Sequence, residues 1–320
     1  MRARLPLMSN DSWPKIAVMG AGAVGSYYGA VLARAGADVT LIGRAQHVEA
    51  IARNGLRLET AEGTQTIAVS ARADSAAVRD ARWILFCVKS IDTEAAARAI
   101  APHLARDAVV LSLQNGVDNI ERMRSHIDKR LVPAVVYVAA AITAPGCVRH
   151  SGRGDLIIGE PQLPAGQNDV GAELADIAGR FGKAGIPVRI SDNVEGELWA
   201  KLVMNCAYNA ISALIPVNYG RLIATPETRS IMRDVVEEIQ RIAAAKRIRI
   251  PGENLVDSVY RLADAMPAAT SSTAQDIARG KRTEIDHLNG YIARQGEILG
   301  IPTSVNRTLH ALIKLLETPA

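Results

Sequence analysis

Aromatic side chains are scarce in this 320-residue chain, at 4% of its residues, so Ala, Val, Leu and Ile must build the interior. Cysteine is scarcer still. Cys87, Cys147 and Cys206 lie far apart with no CxxC spacing, which argues against a disulfide framework and a zinc site and fits a reducing cytoplasm. No other metal-ligand spacing occurs either. Lys+Arg exceeds Asp+Glu by only 37 to 33, and the arginines are scattered rather than gathered into the stripe that a nucleic-acid footprint needs. That mild excess suits an anionic small ligand. There is no uninterrupted membrane-length apolar run: Leu131–Val148 is broken by Pro133, Thr143, Pro145 and Gly146 and reads as buried strand and turn. At the start, Leu5–Met8 is too short for the core of a secretory signal, so residues 1–13 read as a flexible leader.

What is present is 48% hydrophobic and 22% charged, without repeats or low complexity, and its length calls for two domains. From Lys15 short β-branched runs alternate with amphipathic segments, the signature of βα units building a parallel sheet. Strands are expected at Lys15–Met19, Asp38–Ile42, Trp83–Val88 and Ala108–Leu113, with helices at Ala23–Ala35, Gln46–Arg53, Thr93–His103 and Asn119–His126. Leu56–Glu59 and Thr66–Ser70 read as an inserted hairpin. Further strands fall at Val132–Ala139, Val148–Ser151, Asp155–Ile158 and Pro187–Ile190, with a helix at Ala172–Lys183. After Asp192 only helical periods follow: Val194–Leu214, Glu227–Lys246, Gly252–Ala265, Thr273–Ala278, Glu284–Leu299 and Thr303–Leu316. The expected fold class is α/β, a doubly wound domain over residues 14–192 followed by an all-α domain over residues 193–320, with ligand between them.

Gly20-Ala21-Gly22-Ala23-Val24-Gly25 follows a strand and opens a helix, the context that makes Gly-x-Gly-x-x-Gly a dinucleotide signature. Its glycines serve a tight turn, close approach of a pyrophosphate and helix–strand packing. Nineteen residues on, where NAD-binding proteins usually present an acid, stands Arg44. A guanidinium there favours the 2′-phosphate of NADP(H); the plainer alternative is an exposed arginine at a strand end, and His47 reads as a surface histidine.

Two more strand ends carry Lys89-Ser90 and Gln114-Asn115-Gly116, at the sheet edge where ligands bind. Lys89 is either a cofactor contact or a solvated lysine, and Asn115 either a ligand contact or a turn former. In the first long helix, Lys201, Asn205 and Asn209 recur every four residues and so share one face. Such a stripe on an apolar helix must line a polar cavity or join a satisfied network, unless Glu197–Lys201 is a surface pair and the asparagines are exposed. A partly desolvated lysine loses basicity, which suits proton donation to a developing alkoxide. Thr283 reads as a helix cap, with Glu284 and Asp286 as first-turn acids.

Together the glycine loop, the Gln-Asn-Gly, the Leu-Trp-x-Lys-Leu-x-x-Asn-x-x-x-Asn helix, and Ser-Ser-x-x-Gln-Asp-Ile followed by Gly-x-x-Thr-Glu-Ile-Asp-x-Leu-Asn-Gly resemble the ketopantoate reductases over roughly Lys15–Leu316. The resemblance implies a Rossmann domain joined to a helical one, and NADPH-dependent reduction of ketopantoate to pantoate for pantothenate synthesis. It implies Lys201 as general acid, Glu284 as its support, and Asn115, Asn205, Asn209 and Ser272 as substrate contacts. Gly20 to Gly25, Arg44, Lys89, Asn115 and Glu284 would hold the coenzyme. The chain departs from some members at Ala269, where they carry asparagine. The alternatives are a reductase or dehydrogenase for a related 2-oxo or 2-hydroxy acid, and a non-catalytic NADP(H)-binding regulator. A small 2-oxo acid is the expected partner; a homodimer is compatible with the sequence, while nucleic acid and membrane are not expected.

Overall fold

Strands that are apolar on both faces must be covered on both faces. The computed structural model describes residues 12–161 and 170–317, so most of the expected leader lies outside the described residues. Ser12 and Trp13 are anchored: Arg180 donates to the Ser12 carbonyl at 3.0 Å and lies 5.9 Å from the Trp13 ring centre.

In chain order the strands are β1 (Ile16–Met19), β2 (Val39–Ile42), β3 (Leu56–Thr60), β4 (Gly63–Ile67), β5 (Ser70–Arg72), β6 (Trp83–Phe86), β7 (Val109–Ser112), β8 (Arg130–Ala144), β9 (Cys147–Ile158) and β10 (Val188–Ile190). The sheet runs β4-β3-β9-β8-β7-β6-β1-β2-β5, with β10 beside β9. From β5 through β8 every pairing is parallel. This is the doubly wound Rossmann-type order, and it reverses at β1, leaving a crevice at the carboxyl ends of β1 and β6. Helices α1 (Ala23–Arg34), α2 (Ala45–Asn54) and α5 (Val170–Lys183) pack on one face and α3 (Thr93–Ile100) and α4 (Asn119–Arg124) on the other. Adjacent residues divide accordingly: Ile16 and Val18 face the first layer and Ala17 the second.

Several expectations are corrected. The hairpin exists as β3 and β4, but it pairs through β3 with β9 at the far edge of the sheet, and Ser70 belongs to β5 instead. Val148–Ser151 and Asp155–Ile158 are parts of one strand, because Gly152, Arg153 and Gly154 all take positive φ and absorb the irregularity as bulges against β8. His47 is no surface residue: Ser26 Oγ lies 3.2 Å from its Nε2, and its Nδ1 accepts from Gly146 N–H at 3.0 Å. That ring must be neutral, and burial lowers its pKa accordingly.

Beyond β10 the chain is helical: α6 (Val194–Leu214), α7 (Tyr219–Leu222), α8 (Pro226–Ala245), α9 (Leu255–Ala265), α10 (Ser272–Ala278), α11 (Asn289–Leu299) and α12 (Ser304–Glu317). Around α6 gathers a separate apolar core containing Trp199, Leu202, Cys206 and Ile239. The expected helix at Glu284–Leu299 is instead a 3-10 turn over Ile285–His287 and then α11. Side-chain bonds impose the break. Asp286 is held by His310 at 2.7 Å and Lys314 at 3.0 Å, while Asn289 donates to the Cys206 carbonyl at 3.1 Å. Among the described residues no helix is long and apolar enough to cross a membrane.

Candidate active site

The glycine loop sits at the crevice, and its three glycines are distinguished by what a side chain would meet. Gly20 has φ +105°, and a Cβ there would lie 2.6 Å from the Val88 nitrogen. At Gly25 a Cβ would lie 2.2 Å from the Gly20 carbonyl oxygen and 2.8 Å from Val18. Around Gly22 nothing stands within 4 Å. Gly22 is also the N-cap of α1, which has no side-chain cap and no acid in its first turn. The helix start, including Ala23 and Val24, therefore offers amides and a positive dipole end to an anion. Gly25→Ala should lower the melting temperature by several degrees, an overpacking loss of about 1–3 kcal/mol, whereas Gly22→Ala should melt within a degree of wild type. Scanning fluorimetry checks both.

Gly20 and Ala21 amides donate to the Ile42 carbonyl at 3.0 and 2.8 Å, which fixes the loop against the end of β2. Next along stands Arg44, exposed, at the uncapped start of α2. Neither a hydrogen bond nor an ion pair engages its guanidinium among the described residues. Arg72, unsignalled by the glycine-loop spacing, adds a second exposed guanidinium on the adjacent strand, opposite Ile42.

The loops after β6 and β7 are locked by a buried amide and hydroxyl network. Gln114 donates to the Val88 carbonyl (3.1 Å) and Thr93 (2.8 Å), and Asn119 donates to the Asn115 carbonyl (2.6 Å). Ser90 Oγ also donates to that carbonyl, at 2.6 Å. Thus Asn115 is held by its backbone, and its side chain points its amide at Glu284 Oε2, 3.0 Å away. Glu284 Oε1 accepts from the Ser90 N–H at 2.8 Å. The segment bearing Glu284 is clamped from behind, where Thr283 donates to Glu317 through both its amide and its hydroxyl.

Lys89 donates to Asp276 at 2.8 Å and to the Arg282 carbonyl at 2.9 Å, tying sheet to helices and leaving one of its three donors for a ligand. Sequence spacing showed no such tie.

On α6, Lys201, Asn205 and Asn209 share one face, and the amides of both asparagines lack hydrogen-bond partners among the described residues, although Asn209 is only 4% exposed. Lys201 Nζ crosses to the sheet and donates to the Val136 carbonyl of β8 at 2.6 Å, keeping two donors. Desolvation pushes its pKa down to about 8, with Arg153 acting in the same direction and Glu284's negative charge opposing both. Ser271 is the buried cap of α10, bonded to the Asn209 carbonyl at 3.3 Å; Ser272, beside it, is exposed, its hydroxyl without a partner among the described residues. The Lys201 cation, the Glu284 carboxylate whose charge it feels and the Asn115 amide bonded to that carboxylate are thus brought to the joint between sheet and helices, with Asn205 and Asn209 on the lysine's face of α6. Ser90, Gln114, Asn119 and the Val136 carbonyl, which sequence reasoning missed, hold them there.

A family model described as ketopantoate reductase PanE/ApbA matches residues 16–162, and one described as ketopantoate reductase PanE/ApbA C terminal matches residues 193–317. The chain belongs to the ketopantoate reductase family. A 2-dehydropantoate 2-reductase of Pyrococcus horikoshii is 35% identical over 95% of this chain and 98% of its own. Among solved structures, a PanE/ApbA family ketopantoate reductase from Ralstonia eutropha JMP134 superposes with a TM-score of 0.88 at 51% identity, covering 95% of this chain and 98% of that one. D-mandelate dehydrogenase with NADH and anilino(oxo)acetate follows at 0.87 and 25% identity, with the same coverage. Both superpositions span the sheet and the helical half, so the ketopantoate reductase fold extends across the junction at which Lys201 and Glu284 stand.

Proposed function

We propose that this chain is an NADPH-dependent reductase of a 2-oxo acid, 2-dehydropantoate, producing pantoate for pantothenate biosynthesis. Lys201 carries the reading: an amine pushed down to about pKa 8, with two unpartnered amides on its face of α6 and under the charge of the Glu284 carboxylate, which the loops after β6 and β7 hold by two hydrogen bonds. A dinucleotide fits the chain's own residues, since Gly22 leaves open space at an uncapped helix start and Arg44, unpartnered among the described residues, stands at the adenosine end beside Arg72, which spends one donor on the Ala71 carbonyl. When bound, the reduced coenzyme supplies hydride to C2 of the acid.

Everything else falls to the protein. Lys201 donates a hydrogen bond, then its proton, to the oxygen at C2 as negative charge develops there. Asn205, Asn209 and Ser272 bind the substrate's hydroxyl and carboxylate. Glu284 keeps the ammonium charged and, with Asn115, closes the coenzyme side. The three cysteines are free thiols, in keeping with a cytoplasmic enzyme.

A second reading has a specific basis. D-mandelate dehydrogenase with anilino(oxo)acetate has this fold, and Ala269, in the turn before α10, offers no amide to a substrate hydroxyl. On that reading the same Lys201 and Glu284 reduce a different 2-oxo acid.

NADPH absorbance decay against a panel of 2-oxo acids separates the outcomes. Ketopantoate turnover supports the first reading, turnover of another acid the second. Tight NADPH binding without any turnover would mean a non-catalytic binder and sink both. Reduction needs the ammonium form, so kcat/KM should hold at neutral pH and fall on the alkaline side with a midpoint near 8, the pKa to which Lys201 is pushed. A flat profile to pH 10 would remove Lys201 from the proton transfer.

A further inference from the structure

Behind Lys201 the sheet carries a feature that proton donation does not by itself require. Arg153 has φ +55°, the left-handed region that a side chain of its size rarely adopts, and sits between Gly152 and Gly154, also at positive φ. Its neighbours over-determine this conformation. In the antiparallel register Val138 pairs with Arg153 and Tyr137 with Asp155, so Gly154 is the extra residue of a bulge. A Cβ on Gly154 would lie 2.5 Å from the Tyr27 hydroxyl. Tyr27 stacks on His150 at 4.3 Å, and the His150 ring bonds the Arg153 carbonyl.

The bulge aims the Arg153 guanidinium over the Tyr137 ring, 4.0 Å from its centre, while Asp155 grips it through Nε at 3.0 Å and Nη2 at 2.7 Å. Lys201 Nζ lies over the same ring, 5.8 Å from its centre. Two cations thus share one aromatic ring, the lysine held there by the carbonyl of the preceding residue, Val136. A cavity of about 670 Å³ opens beside them, lined by Tyr137, Arg153, Arg189, Glu197 and Met204 among others. Of the arginines that line it, Arg153 is matched by Asp155 and Arg189 by Glu197 at 2.6 Å.

We propose that Arg153 is a positioning residue for the proton donor, acting on Lys201 by charge and by packing through the shared Tyr137 ring. The proposal rests on Lys201 being that donor. The charges acting on the amine are Glu284 from the segment before α11 and Arg153 on β9, and around the Tyr137 ring it lies over stand Arg153 and Asp155 on β9, Glu197 one turn back on α6 and its partner Arg189 on β10. Of these, Glu284 favours the ammonium and Arg153 disfavours it. Removing Arg153 withdraws a positive charge and strips Asp155 of its guanidinium; both changes favour the ammonium, so Lys201 should hold its proton to higher pH.

Arg153→Gly suits the test, since glycine is at ease at this φ and folding is spared. Arg153→Lys keeps a cation at the same place. For wild type and both variants, kcat/KM with NADPH and the 2-oxo acid is followed against pH, and the Lys201 amine is titrated separately by pH-dependent competitive acetylation read by mass spectrometry. In Arg153→Gly both midpoints should rise by roughly half to one pH unit, with kcat reduced and KM for NADPH unchanged, and Arg153→Lys should restore most of the difference. An acetylation midpoint unmoved in Arg153→Gly overturns the role of Arg153 alone. Full turnover by Lys201→Ala would overturn the reading of Lys201 and this proposal with it.

Discussion

Lys201→Ala should lower kcat by about 10²–10⁴-fold, the range lost with a positioned general acid, while leaving NADPH affinity within a factor of about two. The asymmetry follows from where the amine goes. Lys201 reaches from α6 to the Val136 carbonyl and lies over the Tyr137 ring, and among the described residues it makes no hydrogen bond or ion pair to the glycine loop or Arg44 that would carry the coenzyme's phosphates. Its loss removes a donor realised in the transition state and leaves coenzyme binding alone.

Stability gives a second readout of opposite sign. Burial pushes the amine from its ordinary range down to about 8, so the unfolded chain binds this proton more tightly than the folded one. That difference opposes folding in full below about pH 8 and fades as pH rises toward the ordinary lysine value. At neutral pH, Lys201→Met should therefore melt no lower than wild type while being as inactive as Lys201→Ala. Equal losses of turnover, coenzyme affinity and melting temperature would make the lysine a structural strut. Stopped-flow single turnovers with fluorescence titration of NADPH, beside melts at pH 7, separate these cases.

Most of this site was legible because its residues follow local periods. The glycine loop announces itself through a strand before it and a helix after it, and Lys201, Asn205 and Asn209 fall at intervals of four on a helix whose observed bounds match the expected ones. What was hidden has a common physical cause: partners distant in sequence, or partners that are backbone. The Val136 carbonyl that takes the Lys201 hydrogen bond could belong to any residue type, so no side chain marks it. Lys89 and Asp276 meet only once the helices fold back on the sheet, and neither position signals the other. In sequence the bulge at Arg153 reads as a gap between two strands, because Gly152 and Gly154 look like turn residues when nothing reveals β8 alongside. Likewise the break before α11 depends on Asp286 and Asn289 finding His310 and the Cys206 carbonyl, contacts that override a helical period.

Arg44→Asp should raise KM for NADPH by roughly 10²-fold and change KM for NADH by less than about threefold, because it replaces a charge-assisted phosphate clamp with a repulsive carboxylate suited to a ribose hydroxyl. Three features make Arg44 the position to test. Its guanidinium is exposed and has no partner among the described residues, so coenzyme selection would not compete with a structural ion pair. The helix it opens, α2, has no side-chain cap and no acid in its first turn, so the helix end reinforces a bound dianion. Gly43, just before it, would place a Cβ 2.8 Å from that of Ala21, so Arg44 leaves β2 pressed against the glycine loop itself. Arg72 tempers the effect of the single change, since the neighbouring strand keeps a second guanidinium at the same edge. Arg44→Asp combined with Arg72→Ala should then exceed the single substitution against NADPH and leave NADH no worse, whereas an unchanged coenzyme preference in the double variant would mean that the 2′-phosphate binds elsewhere. Steady-state kinetics with both coenzymes at two ionic strengths give the comparison, and the wild-type KM for NADPH should rise with salt more steeply than that for NADH, because only the former depends on pairing arginine with a phosphate dianion.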